Sequence, residues 1–437
     1  MGARYSQDTA DGIVPLTILP RIELIRLPEL SSRPLSRFKT SRTRTRAGAG
    51  ASADGTMKVL LIAHAFSSDV NRRQLVEMGK GLELRVLAPR GFKDAWSLDS
   101  SHKPQGHQWQ EFSTLALSPH QYLALSVSLG MKSFRPHVIH IDYPPWSLIF
   151  IQCMLYRAIF ARRAKVVSTV KKNTFVVPKG LRGMVKRYLA RFGARYVDRY
   201  EASSCLSRSM IKDVFDVDSA SVSVIPHMGV DTELFRPTNP RLSKRSQITV
   251  GYCGKYSEHK GLAILIEAIR SNREEHRDLE LRLVGAGPME NHLRSIASRE
   301  PWLSVGRSCS SRGVAKFMSG LDIYVLPALI LPDHQEHDAH ALLQAIASGV
   351  PAIGTDSGVI PDILGHGAGI VVPPAEVSPL AMAVGRLADN PSLRGSYSEA
   401  GLRMIYSKYS LARVAEARKR TYQELVGRDF FESGLER

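Results

Sequence analysis

The stretch DHQEHDAHALLQAIASGVPAIGTDSGVIPD, residues 333–362, decides how this chain folds. It opens as a polar loop rich in carboxylates and becomes an apolar helix over Ala341–Ser348. It then passes through Gly349-Val350-Pro351 into a short strand and closes on Gly358-Val359-Ile360-Pro361. A loop that feeds a helix N-terminus offers free backbone N–H groups and the positive end of a dipole, an arrangement suited to phosphate. Glu336 stands just before that helix, and Gln344 stands on it.

Outward from this stretch the chain alternates between strand-like and helical runs. Upstream, Val59–Ala63, Leu84–Ala88, Val138–Ile141, Lys165–Val170 and Val222–Ile225 read as strands. Arg73–Lys80, Gln121–Ser133, Ser147–Arg162 and Lys186–Phe192 read as helices. After a proline-bearing link, Phe235 to Pro240, the pattern restarts with strands at Ile248–Tyr252, Leu279–Val284, Ile323–Leu326 and Ala352–Gly354. Such alternation predicts an α/β protein with parallel sheets covered by helices on both faces. The restart predicts two doubly wound, Rossmann-like domains, 57–235 and 236–410, with a helical tail at 411–437. Residues 1–56 read differently. Ser31–Thr56 is rich in Ser, Arg, Gly and Ala without apolar periodicity, which predicts disorder. Met57 opens the strand-like MKVLLIAH and reads as a natural start, leaving an upstream extension before it. A transit-peptide reading is interrupted by Asp8, Asp11, Glu23 and Glu29.

A Glu, seven residues, then Glu-Ala-x-Ala-x-Gly-x-Pro is the signature of the retaining glycosyltransferases of family 4. Glu336 to Pro351 resembles it, with Gln344 in the place of the second Glu. The resemblance covers roughly 57–426 and is closest over 250–374. It implies the GT-B fold, in which two such domains face across a cleft and a C-terminal helix, here Leu411–Val426, crosses back onto the first. It also implies a UDP- or GDP-sugar donor as co-substrate, a lipid-linked or polysaccharide acceptor, and no metal or other cofactor.

The same resemblance assigns roles. Gly251-Tyr-Cys-Gly254-Lys255-(x4)-Lys260-Gly is similar to the family's Gly-Arg-(x4)-Lys-Gly, so Lys255 and Lys260 would face the diphosphate as electrophilic stabilisers. Lys255 keeps the charge of the usual Arg and loses its bidentate fork. Gly285-Ala-Gly287-Pro matches a Gly-x-Gly-Pro turn of the donor site, a tight turn that also explains itself without a ligand. The base would lie against Gly306 to Cys309, which brings in Arg307. Glu336 would orient the donor sugar, and the amides around Ala339, His340, Ala341 and Leu342 would hold sugar and phosphate oxygens. Gln344 would accept from the ribose through its amide oxygen. The loop His337-Asp338-Ala339-His340 stands where the family has Gly-Phe-Gly. On the acceptor side, His64, Asn71 and Arg72 follow the first strand. Asp142 lies in His140-Ile-Asp-Tyr-Pro-Pro-Trp-Ser, similar to a subgroup's His-x-Glu-Glu-Glu-Pro-Tyr-Ser, and Asn173 matches that subgroup too. Pro226-His-Met-Gly-Val-Asp231 resembles an architectural element beside the hinge, with one extra residue.

Rival readings stay open. The departures at Lys255, Gln344 and the glycine-poor loops also fit a GT-B homologue with little transfer activity, acting as a binding or regulatory subunit. A sugar-nucleotide epimerase shares the fold but not the Pro-x-Gly-Val-Asp and Gly-x-Gly-Pro set. A dinucleotide oxidoreductase would need Gly-x-Gly-x-x-Gly after a first strand, and neither domain has it. Asp333, His334, Glu336, His337, Asp338 and His340 form a dense set of metal-ligand types, but at no recognised spacing.

Composition narrows the partners. The net charge is +18, and residues 157–199 hold thirteen Lys or Arg against one acid, Asp198. That run reads as a solvated helical face, or as a surface for an anionic membrane or anionic acceptor. It lacks a reader motif or paired aromatics, which argues against nucleic acid. The apolar run Ser147–Phe160 is too short to span a bilayer and is interrupted by Gln152 and Arg157. It reads as a buried helix, or beside the basic run as one resting on a membrane. Four dispersed cysteines and the absence of a basic start followed by an apolar stretch predict a reducing, cytoplasmic setting; the basic run and the implied lipid-linked acceptor leave open a peripheral place at the inner membrane face.

Overall fold

The computed structural model describes residues 56–67, 69–89, 108–112, 114–118, 121–124, 127–238, 247–274, 278–332 and 334–427. The N-terminal extension and Asp333 lie outside them. A parallel strand covered by helices needs apolar side chains on both faces, and strand β1 (Lys58–Ile62) supplies them. Leu60 and Ile62 enter one core and Val59 and Leu61 the other.

From β1 the chain runs through α1 (Asp69–Gly79), β2 (Glu83–Pro89), β3 (Gln108–Phe112), β4 (Thr114–Ser118) and β5 (Gln121–Ala124). There follow α2 (Val127–Phe134), β6 (Val138–Ile141), α3 (Leu148–Phe160), β7 (Lys165–Val170) and α4 (Leu181–Ala194). β8 (Arg199–Ala202), α5 (Cys205–Phe215) and β9 (Val222–Val224) complete the first domain's own run. The seven-stranded sheet has the order β3-β2-β1-β6-β7-β8-β9, every pair parallel. The helix expected over Gln121–Ser133 needs correction. Gln121–Ala124 is a strand paired antiparallel with β4, and the helix starts only at Val127. Pairing with Thr114–Ser118 overrides the local helical pattern, and the Ala124 amide donates to Gln152 Oε1 on α3 at 2.8 Å.

The second domain repeats the plan with β10 (Ile248–Lys255), α6 (Leu262–Asn272), β11 (Leu279–Ala286), α7 (Glu290–Ala297), β12 (Leu303–Arg307) and α8 (Ser311–Ser319). It continues through β13 (Ile323–Leu326), α9 (His340–Ala347), β14 (Ala352–Thr355), α10 (Ile360–Leu364), β15 (Gly369–Val372), α11 (Val377–Asp389) and α12 (Pro391–Met404). Its six parallel strands are ordered β12-β11-β10-β13-β14-β15. Strand order reverses between β1 and β6 in one sheet and between β10 and β13 in the other. Ligands of open α/β sheets bind beyond the carboxyl ends of strands at such points.

The tail returns to the first domain. One wide helical turn, Ile405–Tyr409, leads into α13 (Leu411–Val426), which packs on α1. Where the chain crosses, Val230 donates to the Tyr409 carbonyl at 2.7 Å and Leu411 donates back to Val230 at 3.0 Å. Gln74 clamps both passages, donating to the Leu411 carbonyl and accepting from the Gly229 amide, each at 2.9 Å. Deeper in, Arg418 holds Glu201 of β8 through three contacts of 2.6–3.1 Å, with both side chains almost wholly buried. It also donates to the His227 carbonyl at 2.7 Å. Tyr422 meets His140 Nδ1 at 2.6 Å. Burial drives the His140 imidazole down to about 4, with Glu201 opposing and Arg418 adding to the effect.

Candidate active site

The candidate residues cluster because each follows a strand beside a reversal point. Lys255 ends β10, Glu336 lies in the loop after β13, and His64 and Asp142 follow β1 and β6. Glu336 is 3% exposed, and its carboxylate accepts from Lys260 Nζ at 2.5 Å. Its backbone is held as firmly. The Glu336 carbonyl accepts from Val359 N at 2.9 Å and from Asn173 Nδ2, in the first domain, at 2.9 Å. Asn173 is in turn fixed by Ser204 Oγ at 2.7 Å, at the capped start of α5. This contact needs Gly358, whose φ is +59° and whose hypothetical Cβ would lie 1.7 Å from the Glu336 oxygen. The domains touch again where the Cys205 amide donates to Asp362 Oδ2 at 2.9 Å.

On the donor side, Lys255 and Arg307 are exposed and meet no acid among the described residues. Gln344 is 7% exposed, yet no hydrogen bond engages its side-chain amide among the described residues. Helix α9 begins at His340 after Ala339, which gives it no side-chain cap, so the first N–H groups of His340, Ala341 and Leu342 stay open to a ligand. The His340 Nδ1 is buried without a hydrogen-bond partner, and burial lowers its imidazole. The Gly-x-Gly-Pro turn has a structural purpose. A Cβ on Gly285 would come 1.9 Å from the Gly254 carbonyl, and one on Gly287 would come 2.4 Å from that of Tyr256. These glycines let the ends of β10 and β11 close against each other beneath Lys255. Tyr252 lies under the same loop; burial raises its phenol well above the ordinary value, with Tyr324 and Glu336 adding to the rise.

On the first-domain side, Asp142 is buried against Lys171 Nζ at 2.9 Å and His227 Nε2 at 3.4 Å. Burial alone would raise its carboxyl, but Lys171, His227 and His64 hold it well below the usual range. The other nitrogen of His227 lies 3.6 Å from Asp338 Oδ2, in the loop two residues past Glu336. The Asp338 carboxylate is 40% exposed, and His227, with His340 and His337 adding to the effect, lowers its carboxyl. His227 thus stands between a carboxylate of each domain, its Nδ1 making no hydrogen bond among the described residues. His64 packs on Tyr143 with ring centroids 5.0 Å apart. Asn71 and Arg72 donate to the Ala65 and Phe66 carbonyls, at 2.7 and 3.2 Å, and so fix the loop after β1. Among the described residues no three His, Cys, Asp or Glu converge as a metal site.

Residues 238–404 match the family described as Glycosyl transferases group 1. The match to group 1 glycosyltransferases thus spans the second domain, β10 to α12. Among curated relatives, the MMP alpha-(1->4)-mannosyltransferase of Mycolicibacterium hassiacum is 27% identical over 54% of this chain and 56% of its own. The phosphatidyl-myo-inositol mannosyltransferase of Mycobacterium leprae is 28% identical over 59% of this chain and 66% of its own. The chain thus spans between about half and two thirds of the length of these relatives. Among solved structures, a glycosyltransferase from Rickettsia africae superposes with a TM-score of 0.65 at 14% identity, over 85% of this chain and 99% of that one. Anabaena HepE, solved with UDP, gives 0.64 at 16%, over 84% and 99%. The fold is GT-B, as the sequence implies.

Beyond the glycosyltransferase signature, the sequence does not single out Ser204, His227, Gly358 or Asp362 as cleft residues. Gly358 and Asp362 sit inside the stretch that decides the fold, where Ser-Gly before a helix start was the available signal. His227 sits in the hinge element with the extra residue, and that insertion was its signal. Ser204 had none.

Proposed function

We propose that this protein is a retaining glycosyltransferase that moves a sugar from a UDP- or GDP-sugar to a lipid-linked or polysaccharide acceptor. The observation that carries the reading is the buried Glu336–Lys260 pair between two sheet reversal points, beside the uncapped start of α9. The unpaired Lys255 and the unsatisfied amide of Gln344 support it, as do two relatives named mannosyltransferases and the UDP bound to HepE.

In transfer, the bond between the anomeric carbon and the phosphate oxygen breaks, and the diphosphate leaves with added negative charge. Lys255, Lys260 and the first N–H groups of α9 oppose that charge where it develops. Glu336 accepts from the sugar hydroxyls and opposes the positive charge growing at the anomeric carbon. The acceptor oxygen bonds to that carbon on the face the phosphate leaves, and its proton passes to the departing phosphate oxygen. Gln344 accepts from the ribose. With two lysines and a helix start as counter-charge, the reading needs no metal.

The test is thermal unfolding of the full chain with UDP, GDP, ADP and their sugar conjugates, with and without a chelator. One base should stabilise selectively, by about 2.7 kcal/mol at a hundredfold excess over Kd, unchanged by chelator. No stabilisation by any nucleotide overturns the reading in favour of a non-catalytic subunit.

A further inference from the structure

Helix α4 is built with its bulk on the outside. Its inner face carries Gly183, Ala190 and Gly193, all buried. A Cβ at Gly183 would lie 1.8 Å from the Pro178 carbonyl oxygen, and one at Gly193 2.3 Å from that of Pro145. Its outer face carries Leu181, Met184, Val185 and Tyr188, which are 74%, 61%, 48% and 69% exposed. These four occupy positions i, i+3, i+4 and i+7, one stripe about 100° wide. Single exposed apolar residues are ordinary, but an aligned set of large ones marks a surface meant to be covered. The neighbouring helix α3 adds Leu155 and Ile159, both more than half exposed.

The charge around the stripe selects what covers it. Arg182 lies on one flank and Arg187 and Arg191 on the other, all exposed and without an acidic partner among the described residues. Neither α3 nor α4 contains an Asp or Glu. A second copy of the same face would set cation against cation. A nucleic-acid backbone would match the arginines but leave the apolar stripe against phosphate. A leaflet of anionic lipid satisfies both parts, with headgroup phosphates on the flanks and acyl chains beneath the stripe.

We propose that α4, with the exposed edge of α3, docks flat on an anionic lipid bilayer, its Leu181–Tyr188 stripe sunk below the headgroups. Among the described residues no helix is long and apolar enough to cross a membrane, so the contact is one of lying on it. None of the stripe residues is among those placed in the cleft, and the proposal holds whether or not the cleft transfers sugar.

The test is sedimentation of the full chain with phosphatidylcholine vesicles, with and without about a third phosphatidylglycerol. The expected result is at least tenfold stronger binding to the anionic vesicles, weakened by high salt. Arg187→Glu with Arg191→Glu should reduce it at least tenfold, since each basic side chain near such a surface contributes about fivefold. Met184→Ser with Tyr188→Ser should reduce it even at low salt, with an unchanged melting temperature. No binding to anionic vesicles at low salt, or equal binding by the parent and both variants, overturns the proposal. So does a lipid-free dimer that Met184→Ser with Tyr188→Ser converts to monomer, because the stripe is then an interface between copies.

Discussion

Replacing Arg418 with Met should unseat the tail. Arg418 is 3% exposed and makes three contacts of 2.6–3.1 Å with Glu201, itself 1% exposed. The substitution leaves the Glu201 carboxylate buried with its main counter-charge gone and removes the donor to the His227 carbonyl. Breaking a buried pair from one side costs about 3–5 kcal/mol. Removing both charges, as Glu201→Met with Arg418→Met, costs less. The carbonyls of Pro226 and His227 then lose a donor, about 1–2 kcal/mol by the desolvation of unpaired groups, and the Met78 sulfur loses a weak one. At about 2–4 °C per kcal/mol for a domain of this size, the single variant should melt roughly 10 °C lower and the double variant well above it. Calorimetry of the three proteins, scanned at matched rates, provides the readout. A single variant within 2 °C of the parent, or a double variant less stable than the single, would refute the assignment of Arg418–Glu201 as the anchor of α13.

Glu336→Ala should abolish transfer while the chain still folds, melting somewhat lower because Lys260 loses its partner; near-normal turnover in a sugar-release assay would remove Glu336 from the reaction. Gln344→Glu should keep or tighten nucleotide binding measured by calorimetric titration, whereas a large loss of affinity would count against contact with the ribose. Acidification should destabilise the fold through His140. Its folded-state value of about 4 lies below the ordinary 6.5, so the unfolded chain binds the proton first, and stability falls as pH drops from about 6.5 to 4. The loss is on the order of 2–3 kcal/mol, and His140→Gln should flatten that part of a melting-temperature profile. An unchanged slope in the variant would mean that another group carries it.

Much of the fold is legible because parallel strands buried on both faces are written as continuous apolar runs. Val59–Ala63, Val138–Ile141, Lys165–Val170 and Ile323–Leu326 all fall within a residue or so of their strands. Strands that carry charge escape that rule. β8 is Arg-Tyr-Glu-Ala, and its Glu is tolerated inside only because Arg418, 217 residues away, meets it. β12 ends in Gly-Arg for a different reason, its last residue being exposed. The run at Gln121–Ser133 fails as a helix because the partner of its first residues, β4, is set by tertiary pairing. In the site, Glu336 and Gln344 share one loop-and-helix unit, and the family resemblance marks both together. The cross-cleft contacts cannot be read that way. Asn173 reaching Glu336 and His227 reaching both Asp142 and Asp338 depend on how the two sheets face one another, which no local pattern encodes.

The return of α13 reverses the order in which the growing chain can be finished. Residues 57–235 leave the ribosome without Ala415 and Tyr422, which fill their core, and without the arginine that neutralises Glu201. Nearly two hundred further residues must be made before those arrive, an interval of roughly 10–40 s at ordinary rates of synthesis. The second domain, whose core draws on nothing beyond Tyr409, can close meanwhile. The half that is translated last is therefore completed first, and the first half waits, with an unmatched carboxylate inside it, for the final helix.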